Sequence, residues 1–178
     1  VNTHPALAVG GRLFLNWEWM ERLNLAMPAT TDELTDLLRA FRDSDANGNG
    51  DTQDEIPLSG AGGLANLIGT FKGPSGLGNR GGTPGNVDMG AAGKLRFIPA
   101  TDAYRELIGY LRTLYAEKLI DQEIFTATYE AFLANATNNR IGVMSAVNSQ
   151  FAGEYEKNYK GLDAALIGPH GDQLAVGN

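Results

Sequence analysis

Thirteen residues, 43–55, limit this chain more than any other stretch. They read Asp-Ser-Asp-Ala-Asn-Gly-Asn-Gly-Asp-Thr-Gln-Asp-Glu. Five carboxylates (Asp43, Asp45, Asp51, Asp54, Glu55) and two side-chain amides (Asn47, Asn49) crowd together, with glycines at 48 and 50. Like charges repel by about 1 kcal/mol per pair at roughly 4 Å in water, and by more when partly buried. A fold tolerates such crowding by leaving the loop open to solvent or by placing a cation within it. Hard oxygens at alternate positions, then a glycine that turns the backbone sharply, form the pattern of a calcium loop. A solvated acidic turn is the plainer alternative, because Asn-Gly steps are ordinary turn chemistry.

Two registers fit a calcium loop. Started at Asp43, it takes oxygens from Asp43, Asp45 and Asn47, with Gly48 sixth, Asp51 ninth and Asp54 twelfth. Started at Asp45, it takes them from Asp45, Asn47 and Asn49, with Gly50 sixth and the Asp51 carbonyl seventh. Asp54 and Glu55 then close the shell before the twelfth place. The second register is preferred, because its alternate oxygens run on to a glycine in the usual position. The expected Ca2+ ligands are therefore Asp45, Asn47, Asn49, Asp51 (by its carbonyl), Asp54 and Glu55.

The loop sits among alternating strand and helix signals. Residues 12–16 form a short apolar run expected to be a buried strand. Residues 17–23 follow as a short helix, with Trp19, Met20 and Leu23 on one face. Thr-Thr-Asp-Glu at 30–33 is a capping box: the Thr30 hydroxyl accepts from an amide of the first turn while Glu33 reaches back. Leu34, Leu37, Leu38 and Phe41 then repeat at helical spacing and face a core. That helix leads into the acidic loop. Ile-Pro-Leu at 56–58 leaves the loop too soon for a second long helix, so the unit is not a full EF-hand.

Residues 61–68 suit a short helix. From 73 to 93 glycine and proline dominate, and no regular element is expected in what reads as a flexible surface loop. It lacks the Gly-Lys-Ser/Thr of a phosphate cradle. Residues 94–99 alternate as a strand. Thr101 caps the strongest helix, with Tyr104, Leu107, Ile108, Leu111, Leu114 and Tyr115 on its apolar stripe. Residues 129–134 suggest another short helix, and 140–145 a strand. Residues 148–159 suggest a helix with Phe151, Tyr155 and Tyr159 on one side, and 162–167 a last strand.

The chemistry that is missing narrows the function. Lysines and arginines total 14 against 21 aspartates and glutamates, a net charge of -7. That argues against nucleic acid, whose phosphates demand basic patches. There is no cysteine, hence no disulfide and no thiolate site. The only histidines are His4 and His170, near the two ends and without visible partners. A histidine acid–base site is not expected, and no Gly-x-Ser-x-Gly elbow occurs. Trp17 and Trp19 could each stack on a sugar ring. Trp19 shares the Met20 and Leu23 face and reads as core, which leaves Trp17 as the ligand-binding candidate. No run is long enough to span a membrane. The chain opens without a signal-peptide pattern, and reads as a mature form or an excised piece.

Several motifs together resemble a known family. They are Phe-Leu-Asn-Trp-Glu-Trp-Met-Glu-Arg-Leu from Phe14, Leu-Arg-Ala-Phe-Arg-Asp from Leu38, Asp-Ala-Asn-Gly-Asn-Gly from Asp45 and Asp-Glu-Ile-Pro-Leu-Ser-Gly from Asp54. Phe-Ile-Pro-Ala-Thr-Asp from Phe97, Leu-Ile-Asp-Gln-Glu-Ile-Phe from Leu119 and Gly-Pro-His-Gly-Asp from Gly168 agree. The chain resembles the extracellular solute-binding proteins of bacterial ABC importers, the carbohydrate-binding lipoproteins called family 1. That resemblance implies two α/β lobes joined by hinge strands, with a sugar held between them. It implies that residues 1–178 form one α/β lobe of a type II periplasmic-binding-protein fold, a helix-rich lobe around a small mixed sheet. It also implies a structural calcium ion in the 43–55 loop, away from the cleft. The implied partners are a sugar or oligosaccharide, an ABC permease and the N-terminal lobe of the same protein, in a monomer. The implied location is extracellular or periplasmic, with a lipoprotein anchor. The competing readings are a carbohydrate hydrolase domain with a calcium staple and a calcium-dependent interaction module.

Overall fold

The computed structural model describes residues 12–77, 86–89, 94–162 and 166–168. Four strands form its main sheet, in the spatial order Ile56–Gly60, Ile141–Ala146, Arg12–Asn16 and Tyr159–Gly161. Arg12–Asn16 is β1, and its apolar residues Leu13 and Leu15 are buried. Ile141–Ala146 is β5, buried along its whole length as suits a strand covered on both faces. It lies antiparallel to β1, with Arg12 opposite Ala146. Ile56–Gly60 is β2, parallel to β5 in the register Gly60–Ser145. Tyr159–Gly161 is β6, antiparallel to β1.

The helices form for local reasons. Trp17–Arg22 is α1, capped by the Asn16 side chain, which accepts from the Trp19 amide. Thr31–Arg42 is α2, and Leu34, Leu37, Leu38 and Phe41 are its buried stripe. Its cap departs from the expected box in one detail: Thr30 accepts from the Glu33 amide, but Glu33 accepts from Ala29 rather than Thr30. The Thr30–Thr31 step is used elsewhere. Thr30 bridges Ile167, whose carbonyl accepts from the Thr31 amide.

Gly63–Phe71 is α3, Asp102–Ala116 is α4 and Tyr129–Thr137 is α5. Thr101 caps α4 as expected, accepting from the Tyr104 amide. Trp19 and Phe41 meet edge to face at 5.2 Å across the core. A Cβ on Gly142 would sit 2.4 Å from the Phe41 ring, so β5 has room only for a hydrogen there.

Several expectations need correction. β2 was not anticipated, because Pro57 and Gly60 hide it; it is an edge strand, where proline is tolerated. Ile108 is 37% exposed. The inward position goes to Tyr110, whose hydroxyl donates to the Thr31 carbonyl. Residues 148–159 are not one helix. Gln150–Asn158 is 3₁₀ structure broken at Gly153, where φ is +58°, and Tyr159 already belongs to β6.

Of the expected strand at 162–167, residues 163–165 lie outside the described residues, and Ile167 makes an isolated parallel bridge to Thr30. Within the glycine-rich stretch, Val87–Met89 is a strand, β3, against expectation. It pairs antiparallel with Leu95–Phe97, β4. An ion pair between the Arg96 guanidinium and the buried Asp88 carboxylate pins the two. Residues 78–85 and 90–93 of the 73–93 stretch fall outside the described residues, as do His4 and His170.

Candidate functional site

The two ends of the main sheet carry different chemistry. Asn16, Ile56, Ile141 and Tyr159 share one end, and the 43–55 loop enters β2 there. α2 delivers the loop, and α1 supports it. Arg22 donates to the Ala46 carbonyl and packs so closely that a Cβ on Gly48 would meet its guanidinium at 2.8 Å.

Within the loop, Asp45 is the hub. One carboxylate oxygen accepts from the Gly48 and Asn49 amides at 2.8 and 3.0 Å, and the other from the Gly50 amide at 2.9 Å. Positive φ values at Gly48 and Gly50 turn those amides inward. The Asn47 and Asn49 side-chain amides donate to the two Asp54 oxygens at 3.1 and 3.0 Å. Asp51 caps the Gln53 amide with its side chain. Asp43 points elsewhere: the Arg42 guanidinium clamps it and holds its carboxyl below the usual carboxylate range. That geometry suits the register begun at Asp45.

The donor set fits a hard cation. Glu55 accepts from the Ala46 amide through one oxygen, while its other oxygen is buried with no hydrogen-bond partner. Burial pushes the Glu55 carboxyl up, and the nearby Asp54 charge adds to this. A partnerless buried carboxylate oxygen is costly and calls for a cation or a proton. Among the described residues, no three acidic, histidine or cysteine side chains converge on one point. A cation here would therefore draw on amide and carbonyl oxygens as well, as calcium does. Arg140 stands at the edge, bonded to the Asp54 carbonyl and 3.4 Å from its carboxylate.

The opposite end gathers Arg12, Gly60, Ala146 and Gly161. There β2 and β5 finish side by side. A third segment runs with them: Ile120 bridges Leu58 in parallel, and buried Asp121 accepts from the Ser59 hydroxyl at 2.9 Å. Three connections leave this end, and two of them, after Asp121 and after β5, expose apolar groups. Phe125 is 64% exposed, Val147 55% and Tyr129 47%. The Ile124 carbonyl lies against Gly63 at the start of α3, which ties the second connection to the first. Phe151 packs edge to face with Tyr129, their centroids 5.9 Å apart. Beneath them a polar chain links Thr70, Ser145 and Asn66.

Trp17, the sequence candidate for ligand stacking, lies in neither group. Its indole donates to Glu21, and the Lys160 ammonium covers one ring face at 3.6 Å. Trp19 is core. Phe125, Tyr129, Val147 and Phe151 were missed as a group, because their nearness depends on parallel strand pairing rather than on spacing.

No family model matches the chain. A curated relative does: the fructooligosaccharide ABC transporter substrate-binding protein FusA of Streptococcus pneumoniae serotype 4. It is 31% identical over an alignment of 171 residues that covers 93% of this chain and 30% of FusA. The chain is homologous to part of an ABC-transporter substrate-binding protein.

Solved structures of substrate-binding proteins agree. FusA with kestose superposes with a TM-score of 0.77 at 32% identity, covering 93% of this chain and 33% of FusA. A FusA EF-hand mutant with fructo-nystose gives 0.78 at 30% identity, with the same coverage. An HMO-binding solute-binding protein of Bifidobacterium longum infantis gives 0.72 at 25% identity, covering 86% of this chain and 34% of that one. The chain thus spans about a third of the length of these relatives, and its mixed α/β fold is that of a solute-binding protein lobe. The relatives are substrate-binding proteins of ABC transporters and not enzymes.

Proposed function

We propose that this chain supplies one wall of an oligosaccharide cleft in an ABC importer's substrate-binding protein, with Ca2+ stapling the 43–55 loop. The observation that carries the cleft is the apolar end of the sheet. Open α/β sheets bind ligands outside the carboxyl ends of their strands, and aromatic faces with a few polar groups suit sugars. β2 and β5 end there; Val147 follows β5 directly, Phe151 packs on Tyr129, and Phe125, in the connection after Asp121, packs on Tyr115. The backbone also enters β1 and leaves β6 at that end. That is where hinge strands to a second lobe belong. The relatives' sugars, kestose and fructo-nystose, are the ligand class.

Transport follows from closure. Two lobes rotate about the hinge, bury the sugar between them and present the closed form to a permease. A protein of this kind works outside the cytoplasmic membrane, held there by a lipoprotein anchor or retained in a periplasm. Among the described residues, no helix is long and apolar enough to cross a membrane.

Nuclear magnetic resonance titration with kestose tests the cleft. One wall alone binds weakly, with a dissociation constant on the order of millimolar, because half of the contacts are absent. Shifts concentrated at Phe125, Tyr129, Val147 and Phe151 support the reading. Shifts centred on Trp17, or none at saturating sugar, overturn it.

The staple has its own support in the partnerless Glu55 oxygen and the oxygens gathered around Asp45 and Asp54. Asp45, Asn47, Asn49, the Asp51 carbonyl, Asp54 and Glu55 would hold the ion. It would neutralise their charge and fix the turn between α2 and β2. It lies at the far end of the sheet from the cleft and takes no part in holding sugar.

A further inference from the structure

The sequence holds two Asn-Gly steps, Asn47-Gly48 and Asn49-Gly50, and both fall in the acidic loop. Such steps are chemically fragile. The glycine amide nitrogen attacks the asparagine side-chain carbonyl carbon, a C–N bond forms, and the side-chain amide leaves as ammonia. Water then opens the cyclic imide at either carbonyl, giving aspartate or isoaspartate. The attack needs a glycine amide that gives up its proton and swings toward the side chain, and glycine permits this because it lacks a Cβ.

In this loop both nucleophilic amides are occupied. Gly48 donates to one Asp45 oxygen at 2.8 Å and Gly50 to the other at 2.9 Å. A carboxylate acceptor makes these charge-assisted bonds, and its negative charge disfavours an amide anion beside it. The electrophiles are held too. The Asn47 side-chain oxygen accepts from the Asn49 amide and the Asn49 oxygen from the Asp51 amide. We propose that Asn47 and Asn49 are spontaneous deamidation sites and that Asp45 guards them by engaging the Gly48 and Gly50 amides.

The assignment gives Asp45 a protective role that stands apart from any cation. Its loss exposes both steps at once. Conversion to isoaspartate adds a backbone carbon and breaks the turn that leads into β2. Conversion to aspartate adds a carboxylate to a loop that already holds five.

Peptide mapping by mass spectrometry, after incubation at mildly alkaline pH with chelator, reads the two sites separately. Denatured wild-type protein sets the ceiling rate. Folded wild type is expected well below it, and a folded rate equal to the ceiling overturns the proposal without any variant. Asp45→Asn keeps the shape but removes the charge, and is expected to speed both sites by about tenfold, the worth of a charge-assisted hydrogen bond. Asp54→Ala frees the Asn47 and Asn49 side-chain nitrogens while leaving the glycine amides engaged, and is expected to stay near wild type. Equal acceleration by both variants, or none by Asp45→Asn, overturns the guard.

Discussion

At one end of the main sheet, a single run of thirteen residues makes its own network around Asp45 and Asp54. At the other end, Phe125, Tyr129, Val147 and Phe151 arrive from connections that follow two separate segments, the one at Ile120 and β5. The first group is local and polar, and its members bond one another across two to nine residues. The second is apolar and exposed, and exists only because the strands lie side by side. In these two ends, the candidate cation ligands are assembled by turn geometry within a loop, whereas the proposed sugar wall is assembled by sheet topology. The distance between the ends separates stability from binding, and that separation is open to test.

The largest effect should come from the core that both ends share. Gly142→Ala forces a methyl to within 2.4 Å of the Phe41 ring. It should cost about 3 kcal/mol by overpacking. Chemical denaturation measures it. Because Phe41 lies on α2, which delivers the loop, and Gly142 lies on β5, which leads to the wall, both ends should suffer. Loss at one end alone would break the idea of a common support.

Calcium should act next, and only on the loop. An ion at about 100 times its dissociation constant adds about 2.7 kcal/mol. Chelator should therefore lower the melting temperature, and Asp45→Ala should abolish the calcium response. Glu55→Gln sharpens the point through a change of sign. In chelator it should stabilise, because it removes a partly buried charge beside Asp54. With calcium it should destabilise. No change of sign would leave the loop a solvated turn.

A smaller effect should come from Tyr110, which joins α4 to the start of α2. Burial pushes its phenol up to about 12, and the bond with Thr35 opposes this only in part. The neutral phenol donates to the Thr31 carbonyl. Its stabilising contribution is complete below the ordinary tyrosine value of 10.0 and is lost as pH rises toward about 12. Tyr110→Phe should cost about 1 kcal/mol and remove that part of the alkaline loss. Denaturation between neutral and strongly alkaline pH checks both. The calcium response should not move.

The smallest stability change should accompany the largest loss of binding. Tyr129 is 47% exposed, and Tyr129→Ala should alter stability by no more than about 0.5 kcal/mol. The kestose-induced shifts at Val147 and Phe151 should nevertheless shrink. An unchanged titration would move the sugar elsewhere on the sheet.

The amino-acid sequence by itself determined what depends on near neighbours. The Thr30 and Thr101 caps, the α2 stripe and the oxygen-rich loop all rest on contacts within a few residues, so their spacing reveals them. The family resemblance rested on motifs such as those from Phe14 and Asp54. Tertiary structure alone decided the rest. It hid a strand behind Pro57, broke the expected helix at Gly153, turned Tyr110 inward in place of Ile108 and turned Asp43 away to Arg42. Above all, it placed Phe125, Tyr129, Val147 and Phe151 at one end of the sheet and the acidic loop at the other. The reason is physical. A capping bond or a turn is closed by the residues that form it, but parallel strands meet only through long connections. Their shared end is settled by packing between parts of the chain that carry no mark of one another.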